Sequence, residues 1–575
     1  VDWAEILDRI ESELRASLAR DPRGVAWLVG GGSLGILKGM TRRFFRRLGP
    51  VSECAGDICS GAGEAAQLAD FGVSDSHDVF DVQHSRSILL WGKNVGVSNI
   101  HLVPLLKAAQ RSGAEVLFIC PTPPEPGLPP HRWIAPHPGR DLELAFGVMR
   151  LLFERAERDG EEPWRAGTVE LAGVGRLRDL AMSKPARAWA DEAGLELSEI
   201  ECVEAALLRR PASLHVGWGV QRRARGGDSV RALDALAALS GNLGRPGGGV
   251  SFYYARKQAF RTELFDEGHE PGRQLWQARL STELAEADPP VEFLWIAGAN
   301  PIATLPDSAE LARQIERIPF VVVSDTHPND TTRRAEALLP VETMLEDSDL
   351  LGSYGQHYIT ASSPVLERPA EVRSDLEIIQ ELAQRFGMGE DFAGSRRQWK
   401  ERLLRPELAE QGIDVDALEG ESLRSPLAEP VLFADGHVPT PSGKVELLDR
   451  YVPPESDAED YPLWLFSNSH RRSQCSQWAD GEDPEDPLPV RLHPAASPGI
   501  ANGGIARLVS GNAALRVRVV HDERLRPDVA IVPKGGSLDL GRSANVLIAP
   551  RETDLGGGAA YLDTRVRLEE EFAAR

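Results

Sequence analysis

Cysteine is scarce in this chain and scattered. Five residues in 575 (Cys54, Cys59, Cys120, Cys202 and Cys475) form no C-x-x-C or C-x-x-x-C pair. That excludes zinc ribbons and local iron–sulfur cages within the segment, and an odd, sparse set argues against a disulfide scaffold. No apolar run reaches the length of a transmembrane helix, and the opening Val1-Asp2-Trp3-Ala4-Glu5-Ile6 has no signal-peptide pattern. Positive charge is also short. With 64 Lys and Arg against 87 Asp and Glu, the net charge is −23, which argues against a nucleic-acid partner because affinity for phosphate backbones rests on basic side chains. The balance fits a solvated surface or a basic partner. Hydrophobic residues at 42 % and charged residues at 26 % mark a globular chain, and its length implies three or four domains rather than one core. Val1 is an unusual first residue, so an upstream domain or signal is expected.

What the chain does have is a motif that occurs twice. Residues 86–99 place an apolar run before Gly92-Lys93-Asn94, and residues 292–304 place another before Gly298-Ala299-Asn300. Each is followed by a helix-like stretch, Leu102–Ser112 or Ser308–Glu316, and then by a second apolar run, Val116–Ile119 or Phe320–Val323. Each copy is therefore one strand–helix–strand unit. Glycine lets a backbone approach a ligand closely, and an amide side chain beside it bonds phosphate or base edges. Because open α/β sheets hold ligands beyond the carboxyl ends of their strands, two such units suggest two nucleotide-like groups in one protein. Two ordinary crossovers with functionless turns would give the same pattern.

Around these units, Asp2–Arg20 has helical spacing (Ile6, Ile10, Leu14, Leu18). Val25–Val29 reads as a strand that ends at Gly30-Gly31-Gly32-Ser33, with an Arg- and Phe-rich helix after it. Asp141 is placed to cap a helix, His215–Val220 and Ala335–Pro340 read as strands, and Ser229–Leu239 reads as a small-residue helix. Beyond about residue 455, helical periodicity gives way to short β-branched runs between Gly, Pro and Asp turns: Leu463–Phe466, Val490–Leu492, Ala506–Val509, Leu515–Val520 and Val529–Val532. That is the pattern of a small β-barrel.

Cys59 stands just before a Gly-containing turn that opens a small-residue helix, Gly63–Leu68. A thiol there is acidified by the helix dipole and free amide donors, which favours the thiolate that binds metals or attacks electrophiles; a lone cysteine is more commonly a buried, inert one. Cys54 has no helix start beside it and is the weaker candidate. Together with Cys59-x-Gly-x-Gly, eight further segments follow one another in a recognisable order. They are Gly30–Ser33, Trp91–Asn94, Pro138-Gly139-x-Asp141, Gly217-x-Gly219-x-Gln221, Gly241–Gly247, Gly298-x-Asn300-Pro301, Thr332-x-x-Ala335-Glu336-x-x-Leu339-Pro340, and His493-Pro494 with Asn545…Asp554. In that order the sequence resembles the catalytic subunits of the molybdopterin oxidoreductase, or dimethyl sulfoxide reductase, family.

The resemblance implies an α/β chain of two interleaved Rossmann-like domains and a C-terminal six-stranded β-barrel. Residues 1–52 with 213–455 would form a discontinuous domain for the second dinucleotide, residues 53–212 a domain for the first dinucleotide and the metal ligand, and residues 456–575 the capping barrel. It implies two molybdopterin guanine dinucleotides with one molybdenum or tungsten ion, which gives the repeated unit a cause. Gly92, Lys93, Asn94 and Asn99 would touch one dinucleotide, with Pro121, Gly139, Asp141, Gly219 and Gln221 nearby. Gly30, Ser33, Gly298, Asn300, Asp325 and Thr332 would touch the other, and His470, Asn545 and Arg565 would close over the cofactor, with Cys475 and Ser476 matching a loop near the pterins loosely. Asp141 and Asp325 are carboxylates suited to guanine N–H donors.

Cys59 aligns with the family's ligand to the metal, a soft thiolate that suits an ion already bound by sulfur. Arg256 falls where formate dehydrogenases of the family place an active-site arginine able to hold an anionic oxygen. Ser60, however, stands where those enzymes carry histidine, which argues against standard formate oxidation. Cys120-Pro121-Thr122 replaces the usual Asp-Pro-Arg, and Ala335-Glu336 replaces Ala-Asp.

The expected function is two-electron redox of a small molecule by oxygen-atom, sulfur-atom or hydride transfer, with a formate dehydrogenase-like enzyme as the alternative substrate reading. Family members carry an N-terminal domain with a [4Fe–4S] cluster. None is expected within this segment, so electrons would pass to an upstream or separate iron–sulfur domain or subunit. The basic patch Arg42, Arg43, Arg46 and Arg47 is a candidate docking face for it. A rival is a cofactor-free subunit resembling the large iron–sulfur subunit of respiratory complex I, although such a subunit has no physical need of Cys59, the Gly-x-Asn turns or Asn545. For an ordinary nicotinamide enzyme, no G-x-G-x-x-G after a strand carries an acid at the required distance. No nucleic acid or membrane span is expected. The expected compartment is the cytoplasm, or the periplasm where an upstream twin-arginine signal has been removed.

Overall fold

The computed structural model describes residues 2–570 apart from 33, 126, 456–459, 470–475 and 477–485. Ser33, His470 and Cys475 therefore lie outside the described residues. The chain forms two compact units. One comprises Val1–Ala55, Arg256–Ala428 and Ser537–Asp539, and the other Gly56–Ala255, Glu429–Gly536 and Leu540–Arg575.

The first unit is built on a six-stranded parallel sheet. Its spatial order is Ala337–Pro340, Phe320–Asp325, Phe293–Ala297, Val25–Val29, Ser52–Ala55 and Arg273–Trp276. The central strands are continuous apolar runs because both faces are covered: Val25 pairs with Phe293 and Trp27 with Trp295, and all four are buried. Asp2 caps the helix Trp3–Arg20, its carboxylate accepting from the amides of Ala4 and Glu5 at 3.0 and 3.2 Å. The buried stripe of that helix is Trp3, Leu7, Ile10, Leu14 and Ser17, not the expected Ile6–Ile10–Leu14–Leu18. Steps of four residues overshoot the 3.6-residue turn, so Ile6 and Leu18 drift to the margins, where they pack only partly buried.

In the second unit a five-stranded parallel sheet runs Arg132–Ile134, Glu115–Ile119, Ser87–Trp91, Ala212–Val216 and Val250–Ser251. Helices Gly61–Phe71, Asp141–Asp159 and Gly226–Leu239 contribute to its main core. The unit also contains a closed barrel of six strands ordered Leu463–Asn468, Val529–Pro533, Leu488–Leu492, Ala514–His521, Ile505–Val509 and Arg565–Glu570. Inward Leu515, Val517 and Val519 alternate with Arg516 and Arg518 along one strand, the period of two that revealed the barrel. The mixed α/β class, its parallel sheets and the six-stranded barrel are as expected.

Some boundaries differ. The strand expected at His215–Val220 spans Ala212–Val216, because Ser87 to Trp91 pair with it residue by residue and Gly217 ends the ladder. That pairing places 213–255 in the unit of the first repeat, not with 1–52. The strand expected from Ala335 starts at Ala337, and the helix after Cys59 is longer than expected, Gly61–Phe71.

Candidate cofactor sites

In both units the chain winds outward from one central pair of strands. The first sheet proceeds from Phe293–Ala297 through Phe320–Asp325 to Ala337–Pro340 on one side, and from Val25–Val29 through Ser52–Ala55 to Arg273–Trp276 on the other. The second proceeds from Ser87–Trp91 toward Arg132–Ile134 and from Ala212–Val216 toward Val250–Ser251. Each sheet thus has a topological switch point, where loops leave the strand ends in opposite directions and open a crevice.

Both crevices are floored by paired glycines. Gly298 follows the strand Phe293–Ala297 with φ +57, and its amide donates to the Ser324 carbonyl at 3.1 Å. Gly92 follows Ser87–Trp91 with φ +62, and its amide donates to the Ile119 carbonyl at 2.7 Å. Across the switch point a Cβ on Gly30 would overlap the Gly298 carbonyl oxygen, and one on Gly217 would overlap that of Gly92. Only glycine permits these crossings. Asn94 and Asn300 each precede a four-residue helix, Val95–Ser98 and Pro301–Thr304. Asn300 is buried, and its Oδ1 accepts from Thr331 Oγ1 at 2.7 Å. Asn99 is half-buried at the end of the short helix.

The side chains at the two crevices differ. In the second unit Lys93 follows Gly92 directly, and burial pushes its ammonium down to about 8. Asp141 does not cap its helix. It is the first helical residue and is buried, and its Oδ1 accepts the Trp91 indole N–H at 2.7 Å; burial raises its pKa. A Cβ on Gly139 would sit 3.1 Å from Arg223 Nη1, which itself donates to the Leu562 carbonyl at 2.6 Å and to Asp563 at 2.9 Å. Pro121 is buried next to Cys120, whose Sγ lies 3.2 Å from Thr122 Oγ1. In the first unit, Asp325 accepts from the Thr326 amide at 2.7 Å and from Asn329 Nδ2 at 2.9 Å. Thr332 Oγ1 accepts from the Asn329 amide at 2.7 Å, closing the same turn.

Cys59 lies on a braced loop before the helix Gly61–Phe71, with Ser60 between them. Asp57 accepts the Cys59 amide at 2.6 Å, and the buried Gln221 donates to the Cys59 carbonyl at 2.6 Å while accepting from the Gly63 amide at 3.1 Å. Gln221 therefore fixes the loop with the amide expected to meet a cofactor. Ser60 Oγ bonds Asp57 and Glu64. The glycines after the cysteine are packing residues: a Cβ on Gly61 would stand 2.6 Å from the Gly556 carbonyl oxygen, and one on Gly63 would enter the Phe252 ring. Cys54 is buried on the strand Ser52–Ala55 of the other unit, its thiol pushed up to about 12 by burial.

Gly219 is half-buried near Leu562. Asn545 is buried in a short turn, 544–547, and the Arg565 guanidinium lies 4.2 Å above the Trp464 ring. Arg256 belongs to the first unit. It is buried, donates from Nη1 to the Gly352 carbonyl at 2.8 Å, and lies 4.3 Å above the Tyr354 ring.

Two expectations fail. The arginines of the helix Gly39–Leu48 are not a free basic patch, since Arg42 pairs with Asp266, Arg43 with Glu267, Arg46 with Glu53 at 2.6 Å, and Arg47 with Glu267 and Asp391. Their charge is neutralised locally, which removes the steering field. Gly30-Gly31-Gly32-Ser33-Leu34-Gly35 does have G-x-G-x-x-G spacing after a strand. Its third glycine packs against Asp349, however, and the helix opens only at Gly39, unlike a nicotinamide fingerprint. Sequence reading missed Lys38, whose Nζ lies 3.6 Å from the point a Cβ on Gly32 would occupy. Lys38 was hidden among the helix arginines, and only the glycine run before it signalled a ligand-facing loop.

Residues 1–385 match the family model described as molybdopterin oxidoreductase, and residues 465–565 match the "Molydopterin dinucleotide binding domain". The chain is 27 % identical to "Probable oxidoreductase YyaE" of Bacillus subtilis, over 99 % of this chain and 89 % of that protein. It is 27 % identical to the assimilatory nitrate reductase of Haloferax mediterranei, over 86 % of this chain and 74 % of that one. Acetylene hydratase from Pelobacter acetylenicus shares the fold with a TM-score of 0.81 at 19 % identity, covering 99 % of this chain and 89 % of that chain. A family match over more than half its length, on a fold with two glycine-floored switch points and a terminal barrel, shows that the chain belongs to the molybdopterin oxidoreductase (dimethyl sulfoxide reductase) family as an oxidoreductase catalytic subunit.

Proposed function

We propose that the protein binds two molybdopterin guanine dinucleotides, one in the switch-point crevice of each unit, with a molybdenum or tungsten ion, and catalyses two-electron redox of a small molecule. The observation that carries this reading is the pair of switch points, one in each unit, where the strand-end loops cross closely at paired glycines and a crevice for a ligand opens beyond the strand ends. The donor set supports it. Among the described residues no group of three or more His, Cys, Asp or Glu is arranged to hold a metal ion, so Cys59 would be one protein thiolate added to an ion held mainly by bound sulfur donors. When bound, the metal–pterin group supplies the two-electron redox chemistry.

The chain's own residues do the positioning. Asp57 and Gln221 fix the Cys59 backbone on both sides and so aim its side chain. Lys93 places a half-buried positive charge beside the Gly92 floor, where a phosphate oxygen of a dinucleotide would neutralise it. Asp141, steadied by the Trp91 indole, and Asp325 present carboxylate oxygens to guanine N–H donors. Arg256 would orient an anionic substrate oxygen through the remaining face of its guanidinium. The retention of Cys59 and both glycine crossings favours this reading over a cofactor-free subunit. Electrons would pass to or from an iron–sulfur domain or subunit. No helix among the described residues is long and apolar enough to cross a membrane.

Metal analysis of the purified protein tests the reading. Molybdenum or tungsten near one per chain is expected, and neither metal being present would refute it.

A further inference from the structure

Two acids are enclosed in the core of the second unit with one cation beside them. Asp70 lies on the helix Gly61–Phe71 and Asp234 on the helix Gly226–Leu239. They are 1 % and 0 % exposed, and their carboxyl groups stand within hydrogen-bonding reach of each other. Arg231, one turn before Asp234, donates from Nε to Asp70 Oδ1 at 2.6 Å. Among the described residues, the second Asp70 oxygen and both Asp234 oxygens meet no donor. The fully buried Gln67 beside Asp234 accepts from Ser74 Oγ at 3.1 Å and has no acceptor for its Nε2.

The other charges around the pair are already matched. Asp228, on the same helix as Asp234, is held by Arg450 at 2.9 Å, and Glu143 of the helix Asp141–Asp159 by Arg225 at 2.7 Å. From the strand Val445–Glu446, the Glu446 carbonyl accepts from Arg231 Nη2 at 3.3 Å. Two carboxylates against one guanidinium leave a surplus negative charge in a place closed to solvent. Burial pushes both carboxyls up, Arg231 draws Asp70 back, and the charge on Asp70 pushes Asp234 further up. Asp234 is therefore the acid that keeps a proton.

We infer that Asp70 and Asp234 share one proton, and that this proton latches the helix Gly61–Phe71, which the Cys59 loop opens, onto the helix Gly226–Leu239. A hydrogen bond from Asp234 to the open Asp70 oxygen pairs two of the three orphaned oxygens and removes the surplus charge. Because folding raises the acid's pKa, the stability of the latch is fully present below the ordinary carboxylate range and is lost as the pH rises through the folded value. The two carboxylates then repel each other across the helix pair. The latch is independent of the function proposed above.

The test compares the wild type with Asp234→Asn, which keeps the shape and a donor but cannot ionise. Infrared difference spectra at neutral pH should show a protonated-acid carbonyl band in the wild type that is missing from the variant. Hydrogen exchange, corrected for intrinsic rates, should show protection of residues 61–71 falling about ten-fold between about pH 6 and pH 9 in the wild type and staying level in the variant. Asp234→Ser, equally unable to ionise, should give the same result where Asp234→Asn does not fold. The absence of an acid band that the substitution removes would overturn the shared proton. A loss of protection as steep in the variants as in the wild type, or no loss in either, would overturn the latch.

Discussion

In the unit built on Val25–Val29 the crevice lysine arrives from Lys38, before a helix, and buried acids stand behind it; in the other unit Lys93 follows the floor glycine directly, with a buried neutral histidine near it. The backbones hardly differ. Gly298 and Gly92 have φ of +57 and +62, each donates its amide to the neighbouring strand end, and each is crossed by a second glycine. The comparison shows that the crevice is a property of the winding and of four glycines, whereas its charge is supplied locally by whatever side chain the surrounding loop can deliver. It also separates the units chemically, because Cys59 belongs to only one of them.

The largest effect should come from that asymmetry. Cys59→Ala is expected to abolish turnover while guanine nucleotide content and melting temperature stay near wild type, since the side chain is small and its loop is held by Asp57 and Gln221. Full activity in the variant would remove Cys59 from the chemistry. Next in size are Gly30→Ala and Gly217→Ala. Each puts a Cβ onto a carbonyl oxygen of the facing loop, costing about 1–3 kcal/mol, and each should lower nucleotide content toward one per chain. A variant that keeps both nucleotides would break the equivalence of the two crevices.

A smaller change is expected for Arg223→Met, which removes the donors to Leu562 and Asp563 that tie the sheet's loop to the segment before the last barrel strand. Urea denaturation should show a loss of about 1–3 kcal/mol; an unchanged midpoint would show that barrel and sheet hold together without it.

The smallest effects are on pH dependence, and they have opposite signs. Burial, with Lys93 and His77 nearby, pushes His215 down from 6.5 to about 3, so the stability it contributes is present above pH 6.5 and is lost as the pH falls. His215→Leu should flatten the acid limb of the melting curve. Burial raises Asp349 from 3.8 to about 7, so its contribution is present below pH 3.8 and is lost as pH rises through 7. Asp349→Asn should flatten the neutral limb instead. Identical pH profiles for the two variants would contradict both assignments.

Much of the fold was legible because local pattern and burial agree. Phe293–Ala297 and Ser87–Trp91 are buried throughout, and apolar but for Ser87, since both faces of each sheet are covered, and the barrel strands alternate because one face points inward. The glycine floors were legible as a repeat. The partner of each floor was not, because Gly30 and Gly217 meet Gly298 and Gly92 only through strand order, which no local spacing encodes. Asp141 looked like a helix cap by position, but the buried Trp91 indole has a stronger claim on it. The arginines Arg42, Arg43, Arg46 and Arg47 looked like a patch because three of their four acids, Asp266, Glu267 and Asp391, are distant in sequence.

The central claim is one guanine dinucleotide for each glycine-floored crevice, and counting them tests it most directly. Acid extraction of the purified holoenzyme should release about two GMP per chain, the stoichiometry of two switch points. One GMP per chain, or none, would contradict it.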